Sequence, residues 1–187
     1  MTIIEPVKRN LIYFTGFMAG GKSTIGPIVA NSIDYSFLDL DKEIEKSAGK
    51  TVNEIFSDLG EEFFRKIEKE LLVETSKLDK YVISLGGGTI VDTENLKIVK
   101  SSGLLIYLKA EIEYIYRRLR YKSDRPVFKN KDGRWLRDEE LKSRIGELFK
   151  VREPIYASAD LTFETDKTSV GKTVDAIVKK IKPLIEL

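Results

Sequence analysis

Neither cysteine nor histidine occurs anywhere in the 187 residues. The first absence removes disulfides, thiolate nucleophiles and cysteine-based metal sites. The second removes the usual general base and the commonest zinc ligand. Proton transfer must therefore fall to Asp, Glu, Lys or Tyr. An excess of one charge is missing too: 32 basic residues face 30 acidic ones, a net charge of +2. That balance gives no electrostatic case for nucleic acid or an anionic membrane as a partner. No stretch approaches 18 consecutive apolar residues, so no membrane span is expected. The charged opening "MTIIEPVKRN" lacks the apolar centre of a secretory signal, and a cytoplasmic location is expected.

What remains suits one domain over 1–187. A hydrophobic fraction of 42% beside 33% charge is ordinary for a globular chain able to bury a substantial core. Short β-rich runs alternate with stretches of helical period. Strands are expected at 10–15, 36–41, 81–88 (running into a glycine corner), 103–110 and 159–165. Helices are expected from the glycine loop to about Ala30, and at 42–48, 51–59, 61–78, 92–101, 111–121, 137–153 and 170–182. Alternation of this kind predicts an α/β fold, a parallel sheet with helices on both faces. The polar run 121–135, with Pro126 and Gly133, has neither period. A loop this long is functional or disordered, and near a phosphate site it reads as a lid.

The phosphate site is read from "GFMAGGKST" at 16–24, which fits G-x-x-x-x-G-K-[ST]. Consecutive backbone N–H groups in such a loop converge on phosphate oxygens at the positive end of the next helix. Lys22 would reach the β- and γ-phosphates, and the Ser23 hydroxyl would ligate Mg²⁺. A glycine-rich turn with a surface lysine is the plainer alternative, but a strand precedes this loop and a helical pattern follows it.

Asp39 and Asp41 bracket Leu40 at the end of the second expected strand. Period two puts both carboxylates on one side of the sheet, unless Asp41 merely caps the next helix. Beside a Mg·ATP loop they suit a metal-water ligand and an acceptor for a substrate hydroxyl. In "GEEFFRKIE" (60–68), Glu61, Arg65 and Glu68 fall within about 60° of one another on a helix, with Phe63, Phe64, Ile67 and Leu71 as a separate apolar stripe. Taken alone, that is a solvated face with ion pairs. The run Gly86, Gly87, Gly88 ends the third strand and lets backbone N–H groups approach a ligand. Arg125, before Pro126, could swing onto a transferring phosphoryl group. Arg152 lies in "REPIY", and with Arg65 it suggests a carboxylate on the acceptor.

In order, "GFMAGGKST", "LDLD", "GEEFFRKIE", "GGG", "RPVF" and "REPIY" resemble the shikimate kinase family from residue 10 to about 180. The resemblance implies a three-layer P-loop kinase with a five-stranded parallel sheet. It implies transfer of the ATP γ-phosphoryl group to the 3-hydroxyl of shikimate, on the way to chorismate and the aromatic amino acids. ATP and shikimate would be its partners, Mg²⁺ its metal, and a monomer its state. Matched motif by motif, Gly16, Ala19, Gly20, Gly21, Lys22, Ser23 and Thr24 would hold ATP, with Arg118 against adenine and Arg125 closing over the phosphates. Ser23 would bind the metal and Asp39 would reach it through water. Asp41 would orient the acceptor hydroxyls and take the proton. Lys22, Asp41 and Arg125 would be the catalytic set. Arg65 and Arg152 would clamp the shikimate carboxylate, Glu68 would support Arg65, and Gly86, Gly87 and Gly88 would meet the ring hydroxyls.

The chain departs from the family pattern at Ala19, where glycine is usual. Alanine is strained there if φ is positive, although Gly20 could relax the turn. Phe128 (in "RPVF" for "RPLL"), Ile67 and Ser158 also differ. A gluconate-type kinase of the same fold would be expected to lack the Arg65/Arg152 pair and the triple glycine. A non-catalytic relative would be expected to have lost Lys22, Asp41 or Arg125. All are present.

Overall fold

Five short strands run parallel: β1 (Leu11–Thr15), β2 (Ser36–Asp39), β3 (Tyr81–Ser84), β4 (Leu104–Lys109) and β5 (Leu161–Glu164). Their order across the sheet is β2-β3-β1-β4-β5. They come from a computed structural model that describes residues 10–120, 126–130 and 132–185. The helices are α1 (Lys22–Ser32), α2 (Leu40–Ala48), α3 (Val52–Asp58), α4 (Gly60–Thr75), α5 (Thr93–Ser102), α6 (Ile112–Leu119), α7 (Asp138–Tyr156) and α8 (Val170–Ile181).

Every residue of β1 is buried, because both faces of the sheet are covered. Leu11 and Tyr13 enter one core, while Ile12 and Phe14 enter the other. A parallel sheet sealed on both sides reads as a continuous apolar run, and β4 shows the same division. Side chains of α1 and α8 build one core; those of α2 to α7 build the larger one. The expected three layers and five-stranded parallel sheet are present.

Central β1 pairs with β3 on one side and β4 on the other, so the chain order reverses there. Ligands in such sheets bind at this reversal, outside the carboxyl ends of the strands. The Gly16 loop, Asp39 at the end of β2, Asp41 just beyond it and the glycine corner after β3 all lie at that end.

Local chemistry sets several boundaries. Gly49, at φ 63°, ends α2, and a reciprocal Thr51–Glu54 capping box starts α3. The second strand stops earlier than expected, at Asp39. Its carboxylate accepts from the Lys42 N–H at 3.4 Å and caps α2, which begins at Leu40. Asp41 therefore sits in the first turn of a helix, and the capping role falls to Asp39. The period-two argument for this pair does not apply.

Two further expectations change. Helix α7 runs past 153, through Pro154 to Tyr156. Tyr156 is fully buried against Tyr107, and that packing holds the last turn in place. The 121–135 run is not aperiodic throughout: Pro126–Phe128 forms a 3₁₀ turn with Phe128 buried. An isolated bridge joins Lys129 to Trp135 beyond it.

Candidate active site

The phosphate loop is shaped by close approach to β4. A Cβ on Gly16 would lie 2.5 Å from the Leu108 carbonyl oxygen, at a φ of 139°. Gly16 thus lies against β4 and does not line the cavity above. Gly20 is needed for a different reason, since a Cβ there would meet the Phe17 carbonyl at 2.9 Å. It does not adopt a positive φ. Ala19 takes that conformation itself, at φ 61°, so the strain is not relaxed by its neighbour.

Two distant residues brace the loop. Thr165 Oγ1 donates to the Gly20 carbonyl at 2.9 Å, and Arg118 donates to the Ala19 carbonyl at 3.0 Å. Arg118 also lies 4.4 Å over the Tyr114 ring, one helical turn away on α6. Lys22 folds back so that its ammonium donates to Gly16 O at 2.7 Å and Phe17 O at 3.1 Å. That places a buried positive charge inside the loop. Among the described residues no side chain caps the N-terminus of α1, and no acid lies in its first turn, which suits an incoming anion.

Above the loop lies a cavity of about 350 Å³, lined by residues 18–24, Asp39, Asp41, Ser84, Leu85, Gly87 and Arg118. The Ser23 hydroxyl donates to Asp39 Oδ2 at 3.1 Å, so the two expected metal-side groups adjoin. Both offer hard oxygen, as Mg²⁺ requires. Among the described residues no three acids cluster as a closed metal cage. The pair fits an ion held chiefly by phosphate and water.

A smaller cavity of about 50 Å³ opens next to the first. Its polar lining is Asp41, Arg65, Glu68, Arg152 and the three glycines; Val52, Phe56, Phe64, Pro126 and Val127 supply apolar walls. Met18, Asp41 and Gly87 belong to both cavities.

Helix α4 builds one wall of this second cavity with a different face from the one expected. Phe64, Glu68, Leu72 and Thr75 are its buried positions, whereas Phe63 is 39% exposed. Glu68 therefore sits inside the apolar stripe, 1% exposed. It accepts from Arg65 Nη1 and from Thr89 Oγ1, each at 2.7 Å. Burial pushes its carboxyl above the usual range, although Arg65 and Thr89 pull the other way. Glu61 takes the outer edge of the same guanidinium, with Oε1 3.3 Å from Nε and 3.2 Å from Nη2. Arg65 is thus held between two carboxylates.

The glycine corner makes room chiefly for the protein's own charges. A Cβ on Gly86 would lie 2.7 Å from Asp41 Oδ1 and 3.3 Å from Glu68 Oε1. One on Gly88 would lie 2.8 Å from Arg65 Nη2. Gly87 is the glycine shared by the two cavities. Its carbonyl accepts from Arg152 Nη1 at 3.2 Å and from the Tyr156 hydroxyl. Burial pushes the Tyr156 phenol up to about 12, and that of its neighbour Tyr107 well upward.

The fold thus gathers residues 16–24, Asp39, Asp41, Arg65, Glu68, residues 86–88, Arg118 and Arg152 at one end of the sheet. Arg125, the remaining expected site residue, lies outside the described residues. Sequence reasoning missed Met18, Thr89, Thr165 and Tyr156. Tyr156 had a signal, as the last letter of "REPIY". Thr165 had none, because it supports a loop 145 positions away.

The family profile for shikimate kinase matches residues 18–182. The shikimate kinase of Chlorobaculum tepidum is 46% identical over 174 residues, 93% of this chain and 91% of that one. Among solved structures, shikimate kinase from Acinetobacter baumannii in complex with shikimate aligns with a TM-score of 0.84 at 30% identity, over 92% of this chain and 93% of that one. The Bacteroides thetaiotaomicron enzyme aligns at 0.81 and 32% identity, over 95% and 98%. With the site geometry they agree on one conclusion: the chain belongs to the shikimate kinase family.

Proposed function

We propose that this protein, as a single domain acting as a monomer, phosphorylates the 3-hydroxyl of shikimate with ATP, yielding shikimate 3-phosphate for aromatic amino-acid synthesis. One observation carries the reading. A phosphate-binding cavity and a cavity bearing two arginines meet at Asp41 and Gly87. A nucleotide in the first would present its terminal phosphate to an acceptor hydroxyl in the second. The guanidinium forks of Arg65 and Arg152 suit the acceptor's carboxylate.

Catalysis in such a site is positioning and charge stabilisation. Lys22 and the open N-terminus of α1 would meet the charge on the transferring group. Asp41, common to both cavities, would orient the acceptor hydroxyl and take its proton, the role no histidine is present to fill. Ser23 and Asp39 would hold Mg²⁺, which supplies charge neutralisation across the phosphates when bound. Arg125 is assigned to closure over the phosphates on the sequence pattern, within a lid that includes Pro126 and Val127. Among the described residues no helix is long and apolar enough to cross a membrane, and we place the enzyme in the cytoplasm.

A coupled ATPase assay against shikimate, quinate, gluconate and nucleoside monophosphates tests this. Turnover should require Mg²⁺ and shikimate together. Equal turnover with gluconate or a nucleoside monophosphate would overturn the assignment.

A further inference from the structure

Arg152 and Tyr156 stand four residues apart on α7, so they stack on one face of the helix. Both donate to the same acceptor, the Gly87 carbonyl. A carbonyl oxygen has two lone pairs and accommodates both. The two donors differ in freedom. The Tyr156 ring has no exposed surface and packs 5.3 Å from Tyr107, so its hydroxyl is fixed. The Arg152 guanidinium lines the acceptor cavity, held there by the Gly87 carbonyl and by a hydrogen bond it donates to the Tyr156 hydroxyl, with no ring packing among the described residues to fix it.

We infer that Tyr156 is a positioning residue for acceptor binding: its hydroxyl keeps the Gly87 carbonyl bonded, so that Arg152 can turn to the acceptor's carboxylate. This rests on the reading that Arg152 grips that carboxylate. Without the hydroxyl, the arginine becomes the donor the carbonyl depends on. Withdrawing it would then strand a partly buried acceptor, and that cost would fall on substrate binding. The raised phenol keeps Tyr156 a donor throughout the neutral range.

The test uses Y156F, R152A and the double variant, with shikimate kinetics and ADP binding by fluorescence. Y156F keeps the ring and should fold. Its shikimate KM should rise about tenfold, with kcat and the ADP Kd moving less than about twofold. In the R152A background the same change should alter shikimate KM less than about twofold. Y107F removes the neighbouring buried hydroxyl, which has no hydrogen-bond partner among the described residues, and should leave shikimate KM unchanged.

The outcomes separate two failures. If R152A leaves shikimate KM unchanged, the site assignment itself is wrong. If R152A raises it but Y156F does not, only the role of Tyr156 is wrong. An undiminished Y156F effect in the R152A background also overturns that role. Should Y156F fail to fold, NMR of the unaltered enzyme with labelled tyrosine decides. The Tyr156 hydroxyl should stay hydrogen-bonded at saturating shikimate; its release would overturn the inference.

Discussion

The two halves of the proposed site are built in opposite ways. The nucleotide half is built mainly on one contiguous loop, residues 16–24, whose backbone N–H groups and Lys22 are joined from outside by Asp39 and Arg118. The acceptor half draws Asp41, Arg65, Glu68, Gly87 and Arg152 from α2, α4, the corner after β3 and α7. A backbone-built site survives most side-chain changes and depends on conformation. A side-chain-built site tolerates conformational slack but is sensitive to the geometry of each fork. The difference predicts where substitutions will register.

The largest effect should come from Lys22, the buried cation of the phosphate loop. K22A is expected to lower kcat by about 10²–10³, comparable to losing a preorganised charge-stabilising donor. Steady-state kinetics would check it, and near-normal activity would mean that backbone groups alone suffice.

The acceptor half should respond next. R152K keeps the charge but loses the fork, so kcat/KM for shikimate should fall about 10–150-fold while the ADP Kd hardly moves. A parallel loss of ADP binding would show that the two halves are not separable.

Conformation is the variable that matters for the loop, and Ala19 tests it. An alanine held at φ 61° is strained by about 1–2 kcal/mol, partly offset by the extra chain entropy that glycine would bring to the unfolded state. A19G should therefore stabilise the protein by about 0.5–1 kcal/mol, raising Tm by about 1–4 °C. Calorimetry that finds A19G neutral or destabilised would show that the loop stores no such strain.

The smallest effect concerns the buried acid of the acceptor half. Because burial raises the folded-state pKa of Glu68, the folded protein holds this proton more tightly than the unfolded chain. Its stabilising contribution is full below the ordinary glutamate range and is lost as pH rises through the folded value. E68Q removes that titration. Its stability relative to the unaltered protein should climb as pH rises above the ordinary glutamate range. Denaturation midpoints that run parallel over this range would mean that Arg65 cancels the burial penalty.

These contrasts follow how the site is written into the chain. The loop was legible because nine adjacent residues specify strand, turn and helix start together. The Arg65–Glu68 spacing was also legible, since three residues on a helix place two side chains side by side. The helix's depth was not: the pattern favoured Phe63 as buried, whereas packing against the glycine corner buried Glu68 and left Phe63 at the surface. A similar contest decided Asp39, where a local cap ended the strand before alternation could carry it to Asp41.

By itself, the sequence determined the alternation of strands and helices, the phosphate loop and the residue types able to do acid–base chemistry, because these are local or compositional properties. Only the tertiary structure decided that Thr165 would hold Gly20, that Gly86 and Gly88 would clear space for Asp41, Glu68 and Arg65, and that Tyr156 and Arg152 would share one carbonyl. Each joins groups on different elements. Such distances are set by how the helices seat on the sheet, and no spacing along the chain encodes them.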